Sequence, residues 1–572
     1  MKQKKIIFIL TIIFLVMPIV LAKSASMTLL ATSELDDSQV GSTADVFLEV
    51  KPGSGRIFID SFPLTKLDTV MSTRFANEIA CDFLDKDCNH YDFFYTIRAN
   101  AAIVGGPSAG AAISLLTISV LGDIPLDKKS AITGTINSGG LIGPVGGLSE
   151  KVLAAKEFGL TKVLIPKWST LNDTEIENLT KDSSVKIVKV SNLREAIFEM
   201  SGKRIGKEYT LTVSEDYSWQ MKNISEAICK RTMSLFFTEK NTTLIFDSKE
   251  LYQKGNEAIN EGNYYSAASY CFGANVKLKY AYFLEKTYTK SNVAKLISDA
   301  ENKTKTYKKS VSKKEIKSFT DLQTLMVVTE RIIDAEDYLN LSRTLLAENA
   351  SKINVSLFNL AYGEERLYSA YSWATFFGTP GVNFNLDKDT IKNSCLNKVS
   401  EVEERIEYIR LYIPLPFDEI KKELAFAHRD FLNEDYSNCL YKASMAKSEV
   451  DIILNTMGLS NSEITNLIEE RQKEAEQIIG RQIENNVFPI VGYSYYDYAI
   501  SLKETDKFSS LLYMEYAIEL SKLDIYFKQE KFDWPIIQTD YIGIFLIGGS
   551  VGFLACYFWM IREINKGKKS KK

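Results

Sequence analysis

The sequence predicts an α/β-type domain, an all-helical region and a membrane-spanning helix, in that order along 572 residues. Residues 44–205 alternate strand-like and helical runs, which is typical of mixed α/β folds. Residues 215–535 contain little glycine or proline and carry apolar residues at helical spacing. Residues 541–561 form an uncharged run long enough to cross a bilayer. Because one hydrophobic core rarely serves so long a chain, we expect separate domains.

The strands and helices of residues 44–205 follow from local patterns. Runs of β-branched and aromatic residues indicate strands, and longer runs with apolar residues three or four apart indicate helices. A turn is expected at Gly53, Ser54 and Gly55. The predicted strands are Asp45–Pro52, Arg56–Pro63, Phe93–Gly105, Ala131–Ile142, Lys162–Pro166 and Lys186–Val190, and the predicted helices are Thr69–Leu84, Ser108–Leu121, Leu148–Phe158 and Asn192–Met200.

The helical region contains four stretches that resemble one another weakly. A tandem array of helical hairpins, similar to TPR repeats of 34 residues, is one interpretation, because serines in these stretches lie 103, 68 and 72 residues apart. Unrelated amphipathic helices rich in Tyr, Ser and Ala are the other. The stretches are Asn263–Phe283, Glu365–Phe377, Glu434–Leu454 and Lys507–Phe527, with the serines at Ser266, Ser369, Ser437 and Ser509.

Both ends of the chain carry long apolar segments. Residues 1–22 begin with lysines, continue as an apolar run and end in small residues, which is typical of a signal peptide or an uncleaved N-terminal anchor. A buried core helix is the less favoured interpretation of residues 541–561. The basic tail that follows, 562–572, is cytosolic by the positive-inside rule. We therefore expect a cell-membrane protein, single-pass at its C-terminus, with both folded regions extracytoplasmic.

The composition argues against a nucleic-acid partner and is compatible with glycosylation. The formal net charge of −4 is small for this length, so no nucleic-acid partner is expected. An exported chain could be glycosylated at N-x-S/T triplets, although chance supplies several of them. These triplets start at Asn172, Asn178, Asn223, Asn241, Asn302, Asn340, Asn349 and Asn354.

Six cysteines lie outside the predicted membrane span and could form disulfides in an exported region. Free buried cysteines are the alternative in a chain this large. The simplest pairing joins nearest neighbours, which are Cys81 with Cys88, Cys229 with Cys271, and Cys395 with Cys439.

A candidate nucleophile, Ser108, lies in the stretch IVGGPSAGAAISLL. Its G-P-S-A-G segment fits the G-x-S-x-G pattern of a serine placed on a sharp turn before a helix. Pro107 suits a first helical position, and the neighbouring glycines allow close backbone approach. Free backbone N–H groups there could bind an oxyanion.

The serine needs a base, and histidine is poorly placed to supply it. His90 precedes Ser108 and His428 lies deep in the helical region, so both are interpreted as surface or capping residues. No zinc-binding motif occurs, and we expect no metal or other cofactor. Neutral lysine can serve as the base, provided that burial or a helix N-terminus lowers its pKa. Lys151 qualifies, because Ser149 could cap a helix whose first turn includes Lys151 and whose next residues are apolar.

Several motifs in order resemble the proteolytic domain of Lon proteases, the Ser-Lys dyad peptidases of family S16. G-P-S-A-G at 106–110 is followed by the Thr133-Gly134 pair, by G-G-L-S-E-K-V-L-A-A-K at 146–156 and by K-V-L-I-P at 162–166. The spacing of 43 residues between Ser108 and Lys151 is also that of the family. The resemblance covers roughly residues 44–200 and implies an α+β or α/β Lon-type proteolytic fold. It implies Ser108 as nucleophile, Lys151 as general base and later acid, and Thr133 as the residue that orients the lysine.

The sequence departs from the family pattern in three places. Gly105 and Thr135 stand where the family commonly has acidic residues, which affects local hydrogen bonding but leaves the dyad intact. No P-loop motif occurs, and the nearest stretch, G-K-R-I-G-K at 202–207, is one residue short and is followed by Glu208. A Lon-like peptidase without the ATPase module is therefore implied.

Taken together, these features predict an ATP-independent, membrane-anchored, extracytoplasmic serine endopeptidase that hydrolyses unfolded or flexible proteins. The family resemblance also implies a homo-oligomeric ring, and the C-terminal segment implies the lipid bilayer as a partner. Two alternatives stay open: a non-catalytic cell-surface scaffold or binding protein that retains the protease fold, and a cytosolic ATP-dependent enzyme.

Overall fold

A computed structural model describes residues 23–527 and 548–562, apart from residues 36–37, 105, 168, 170, 172, 182–184, 206–207, 237–241, 349–351, 385, 411–417, 457–458 and 460. The chain divides into two units, Met1–Phe527 and Lys528–Lys572. In the second unit, residues 548–562 form an exposed helix. The predicted N-terminal segment 1–22, the first part of the predicted membrane span, 541–547, and most of the basic tail, 563–572, lie outside the described residues.

Within the part of the chain that the structure describes, no helix is both long enough and apolar enough to cross a membrane. The C-terminal membrane span therefore stays a prediction. The predicted order of an α/β region and a long helical region is confirmed for the first unit.

A four-stranded sheet forms the first layer of the α/β region. Its strands are β1 (Lys23–Leu35), β2 (Ser38–Pro52), β3 (Ile57–Thr65) and β4 (Tyr91–Val104), in the spatial order β1-β2-β4-β3. Neighbouring strands are antiparallel except β3 and β4, which are parallel because helix α1 (Leu67–Phe83) connects them. Val46, Leu48 and Tyr95 alternate with outward residues and bury one face of the sheet.

Strand β1 was not predicted; the first expected strand begins at Asp45. It pairs with β2 along its whole length, from Lys23 opposite Val50 to Leu35 opposite Ser38. The period-two pattern of Ala25, Met27 and Leu29 is the signal that could have identified it.

The second layer is a three-stranded parallel sheet, β5-β8-β9, beside a short hairpin, β6-β7. Helix α2 lies between the layers, and every residue from Gly110 to Leu121 is buried. The strands are β5 (Ser130–Ile132), β6 (Thr135–Ile136), β7 (Ile142–Gly143), β8 (Lys162–Pro166) and β9 (Lys186–Val190), and the helices are α2 (Gly110–Gly122), α3 (Leu148–Glu157), α4 (Asp173–Thr180) and α5 (Leu193–Ser201).

Two local predictions are wrong. The expected strand Ala131–Ile142 is instead β5, a loop, β6, a 3-10 turn and β7, because Gly139 and Gly140 adopt positive φ angles of 70° and 79°, which end an extended run. Ser149 does not cap α3: the helix begins at Leu148, and its N-cap is Gly147, with a φ of 64° and no side-chain cap.

The helical region is built largely from pairs of neighbouring helices. Each of the four similar stretches contributes the second helix of such a pair, α7–α8, α10–α11, α13–α14 and α16–α17, which supports the helical-hairpin interpretation. The helices are α6 (Glu215–Leu235), α7 (Thr242–Glu261), α8 (Tyr264–Leu284), α9 (Lys290–Val311), α10 (Phe319–Glu348), α11 (Ile353–Trp373), α12 (Lys388–Arg410), α13 (Asp418–Leu432), α14 (Tyr436–Thr456), α15 (Asn461–Glu484), α16 (Ile490–Leu502) and α17 (Lys507–Ser521).

The cysteine and histidine predictions agree with the structure. Disulfides join Cys81 with Cys88, Cys229 with Cys271, and Cys395 with Cys439. His90 and His428 are both exposed, each beside a carboxylate, which confirms that they are surface residues. Sequon asparagines that the structure describes, at positions 178, 223, 302, 340 and 354, are also exposed.

We predict that Gly41→Ala destabilises the fold. Strand β2 passes so close to α3 at Gly41 that an added Cβ would overlap the carbonyl group of Glu150. Overpacking of this kind costs about 1–3 kcal/mol of unfolding free energy. The matched control is Gly273→Ala on α8, where the Cβ would lie 3.4 Å from Leu251 and helix propensity favours alanine. Urea denaturation of both variants measures their unfolding free energies. Equal stability of Gly41→Ala and wild type would contradict the prediction.

Candidate active site

Ser108 lies in the middle of a one-turn 3-10 helix, Pro107–Ala109, between strand β4 and helix α2. Gly106 precedes the turn with a φ of 104°, a conformation that favours glycine. Pro107 takes the first helical position, as the sequence analysis predicts. Ser108 is half-buried in this turn, so part of the residue is exposed to solvent.

Helix α1 binds the backbone that leads into Ser108. Thr69 Oγ1 donates to the carbonyl of Gly106 at 3.5 Å, and Ser72 Oγ donates to the carbonyl of Pro107 at 3.4 Å. These hydroxyls were not among the residues predicted for the site. The available signal was a stripe of buried polar residues at helical spacing along α1, namely Thr69, Ser72, Thr73 and Asn77.

Thr133 and Gly134 contact the same segment from the opposite side. Gly134 N donates to the carbonyl of Ser108 at 2.9 Å, and Ala111 N donates to the carbonyl of Gly134 at 3.1 Å. Thr133 Oγ1 donates to the carbonyl of Ser108 at 3.4 Å, and Thr133 N donates to Leu164 O on β8 at 3.1 Å. The Thr133-Gly134 pair is thereby fixed between β8 and the Ser108 turn.

Lys151 extends from the first turns of α3 into the protein, and the residue is only 4% exposed. Its Nζ donates to Thr133 Oγ1 at 3.3 Å. Burial lowers the pKa of Lys151 from 10.5 to about 8, and no other cause contributes. Among the described residues no carboxylate pairs with this amine, so the neutral form makes up a larger fraction at a given pH than in an ordinary lysine.

Ser108, Thr133 and Lys151 therefore lie at one site, with Thr133 in contact with both of the others. Among the hydrogen bonds of the described residues, none joins Ser108 Oγ directly to Lys151 Nζ. Thr135 lies at the start of β6, one residue beyond the Thr133-Gly134 pair, and Gly105 lies outside the described residues. No group of three His, Cys, Asp or Glu side chains within the described ranges is arranged to bind a metal ion.

Residues 76–200 match the family model of the Lon protease (S16) C-terminal proteolytic domain. This part of the chain is thus a Lon-type proteolytic domain, and it contains all three residues of the candidate site. The first strands, β1 to β3, and the whole helical region lie outside the match.

Individual relatives agree with the family match. The chain is 42% identical over 106 residues to the Lon protease of Rhizobium meliloti, covering 18% of this chain and 13% of that protein. It is 34% identical over 158 residues to the Lon protease of Neorickettsia sennetsu, covering 26% and 18%. It is 34% identical over 113 residues to the archaeal Lon protease of Methanocaldococcus jannaschii, covering 20% and 16%. The chain therefore spans less than a fifth of the length of these relatives.

We predict that Lys151→Met stabilises the protein at neutral pH. Below pH 8 the folded protein carries a lysine proton that it binds more weakly than the unfolded chain does, so wild type loses about 3 kcal/mol of unfolding free energy. The loss is complete below the folded pKa of about 8 and disappears as pH rises towards 10.5. Urea denaturation should therefore show a gain for Lys151→Met at pH 7 that shrinks above pH 8. Lys156→Met, on the exposed face of α3, is the control and should show no such gain at any pH.

A gain for Lys151→Met that is the same at every pH would mean that hydrophobic contact, and not the removal of a buried charge, causes the stabilisation. No gain at all would contradict the low pKa of Lys151.

Proposed function

We propose that this chain is a serine endopeptidase in which Ser108 is the nucleophile, Lys151 the general base and Thr133 the residue that orients the lysine. One observation carries the proposal: the uncompensated, buried Lys151 amine donates to a hydroxyl that also contacts the Ser108 segment. The Lon-type match of residues 76–200 supports peptide-bond hydrolysis as the reaction.

In each half of the reaction, Lys151 accepts one proton and then donates one. Neutral Lys151 accepts the proton of Ser108 Oγ while that oxygen attacks the scissile carbonyl carbon, and Lys151 then donates the proton to the leaving amine. The peptide C–N bond breaks, and an ester joins Ser108 to the acyl half of the substrate. Water, deprotonated by Lys151, hydrolyses the ester and regenerates Ser108 and the free carboxylate product. The direct Ser108–Lys151 hydrogen bond forms when substrate binds, since such bonds commonly shorten in the substrate complex.

The positions of the backbone suit stabilisation of the oxyanion. Ser108 lies in the 3-10 turn that continues into α2, and the backbone N–H groups at the start of a helix point towards its N-terminus. A negative carbonyl oxygen is stabilised at such a position by these donors and by the helix dipole.

We further propose that the enzyme needs no ATP and acts on unfolded or flexible chains. The sequence contains no P-loop motif, and without an unfolding motor only extended polypeptide can reach a half-buried serine. Like the peptidase activity, the homo-oligomeric ring implied by the family resemblance is a proposal for this chain.

The proposed location is the outer face of a cell membrane, with the chain anchored through residues 541–561. The uncharged run, the basic residues after it and the three disulfides of the first unit support this location. Disulfides persist in oxidising compartments and are rare in the cytosol.

Replacement of the dyad should abolish peptide hydrolysis. The full chain in detergent is expected to cleave casein and a fluorogenic peptide without ATP, and Ser108→Ala and Lys151→Met should each lower kcat by about 10³-fold or more. Ser119→Ala is the matched control, because Ser119 is a buried serine near the C-terminal end of α2, the helix that follows the Ser108 turn, and donates to Ile124 O. Equal inertness of wild type and Ser108→Ala would favour the non-catalytic scaffold.

Removal of the C-terminal segment should release the protein from membranes. We expect the full chain in the membrane fraction of intact cells, with its first unit digested by externally added protease, and a chain ending at Asp540 in the soluble fraction. Full protection of the first unit in intact cells would contradict the extracytoplasmic location, and a full chain in the soluble fraction would contradict the anchor.

A further inference from the structure

The helical region packs directly against two segments that position the candidate active site. One is the hairpin formed by β6 and β7, whose base follows Thr133-Gly134. The other is helix α1, whose first turns bind the carbonyls before Ser108. Neither contact is expected if the helical region is only a spacer or a separate binding module.

The tip of the hairpin, residues 137–141, inserts into the helical region. Asn137 Nδ2 donates to Leu454 O on α14 at 3.3 Å, and Asn137 is only 4% exposed. At the other side of the tip, Leu141 packs in a small apolar cluster with residues of α14, α15 and α17, which are Ile452, Leu467, Ile468 and Leu511. Only the two residues of β6 separate this tip from Gly134, whose backbone N–H donates to the Ser108 carbonyl.

An ion pair of the helical region lies against the same tip. Arg471 on α15 is fully buried, and its guanidinium contacts Glu515 on α17 at 2.6 Å. Asn455 Nδ2 also donates to Glu515 at 2.8 Å, which fixes the carboxylate. A Cβ on Gly139 would lie 2.7 Å from Arg471 Nη1, so the guanidinium packs directly against the backbone of the turn. A buried charge pair of this kind has little freedom to rearrange.

Helix α1 is bound to the helical region along its second half. The guanidinium of Arg405 on α12 lies 4.4 Å from the ring of Phe75 and contacts Glu78 at 3.1 Å. Further along, Lys522 contacts Asp82 at 2.5 Å. The same helix therefore contacts the helical region at one end and the backbone before Ser108 at the other.

We propose that the helical region is a positioning element of the proteolytic site and that Asn137 is a positioning residue, acting through the β6-β7 hairpin on Thr133. The proposal rests on the proposed peptidase function. Close-packed interiors transmit displacement, so a shift of the hairpin tip moves the Thr133-Gly134 pair at its base. That movement changes both the Thr133–Lys151 contact and the support of the Ser108 carbonyl.

The test compares Asn137→Ala with Asn275→Ala in the full chain. Asn275 is the matched control: it is equally buried and donates to a backbone carbonyl, Ile228 O, at 3.2 Å, but both partners lie within the helical region. For Asn137→Ala we expect kcat to fall on the order of 10-fold with little change in KM, because small misplacements at a reacting centre cost rate and not binding. The midpoint of the pH–rate profile should rise, because a looser site admits water to Lys151. Asn275→Ala should change neither quantity.

Hydrogen exchange supplies a readout that does not depend on activity. Backbone amides of residues 130–136 should exchange faster in Asn137→Ala than in wild type and in Asn275→Ala. A second variant, Arg471→Met with Glu515→Met, replaces the ion pair with apolar side chains that keep the volume, and it should show the same changes.

Active wild type with unchanged kcat, pH midpoint and exchange in Asn137→Ala would overturn the positioning role. Inactive wild type would instead overturn the proposed peptidase, and the exchange of residues 130–136 would then decide the positioning role by itself.

Discussion

Lys151 is buried on α3 beside a threonine hydroxyl, and no carboxylate of the part of the chain that the structure describes balances its charge. Burying an ammonium group without a partner is costly, and proteins usually avoid it by pairing or by loss of the proton. Here the cost, about 3 kcal/mol, leaves the pKa of the lysine near the pH at which a general base is useful. The arrangement is unfavourable for stability and favourable for chemistry, as is common at active sites.

The packing around Lys151 keeps its side chain buried. A glycine at position 41 lets β2 approach α3 at Glu150, one residue before the lysine. Leu148, Val152 and Ala155 on the same helix fill a small core of their own with β5 and β8. Thr133, whose hydroxyl accepts from the lysine, is fixed to β8 through its backbone. The packing of the rest of the domain offsets the free-energy cost of burying the Lys151 ammonium group.

Much of the site could be predicted from the sequence, because its key residues belong to short local motifs. The turn chemistry of Gly106 and Pro107 marks Ser108, and the apolar run after Lys151 indicates its burial. The pair of Cys81 and Cys88 follows from proximity along the chain, because Cys88 lies in the turn after α1, at a separation of 7 residues. Packing of α6 against α8 brings Cys229 to Cys271. Contacts made by distant segments gave no local signal. Asn137 and Leu454 are 317 residues apart, and nothing in the type of either residue indicates that the two are in contact. Likewise, the expected strand Ala131–Ile142 is divided into β5, β6 and β7 in the structure, because apolar periodicity does not indicate a turn made by Gly139 and Gly140.

The protonation of Lys151 can be measured directly. In the full chain with ¹³C-labelled lysines, the Cε resonance of Lys151, assigned by its absence in Lys151→Met, should titrate with a midpoint of about 8. A solvent-exposed lysine ordinarily titrates at about 10.4. A midpoint for Lys151 near that ordinary value would leave a negligible neutral fraction of the amine at pH 7 and would contradict its proposed role as the base for Ser108.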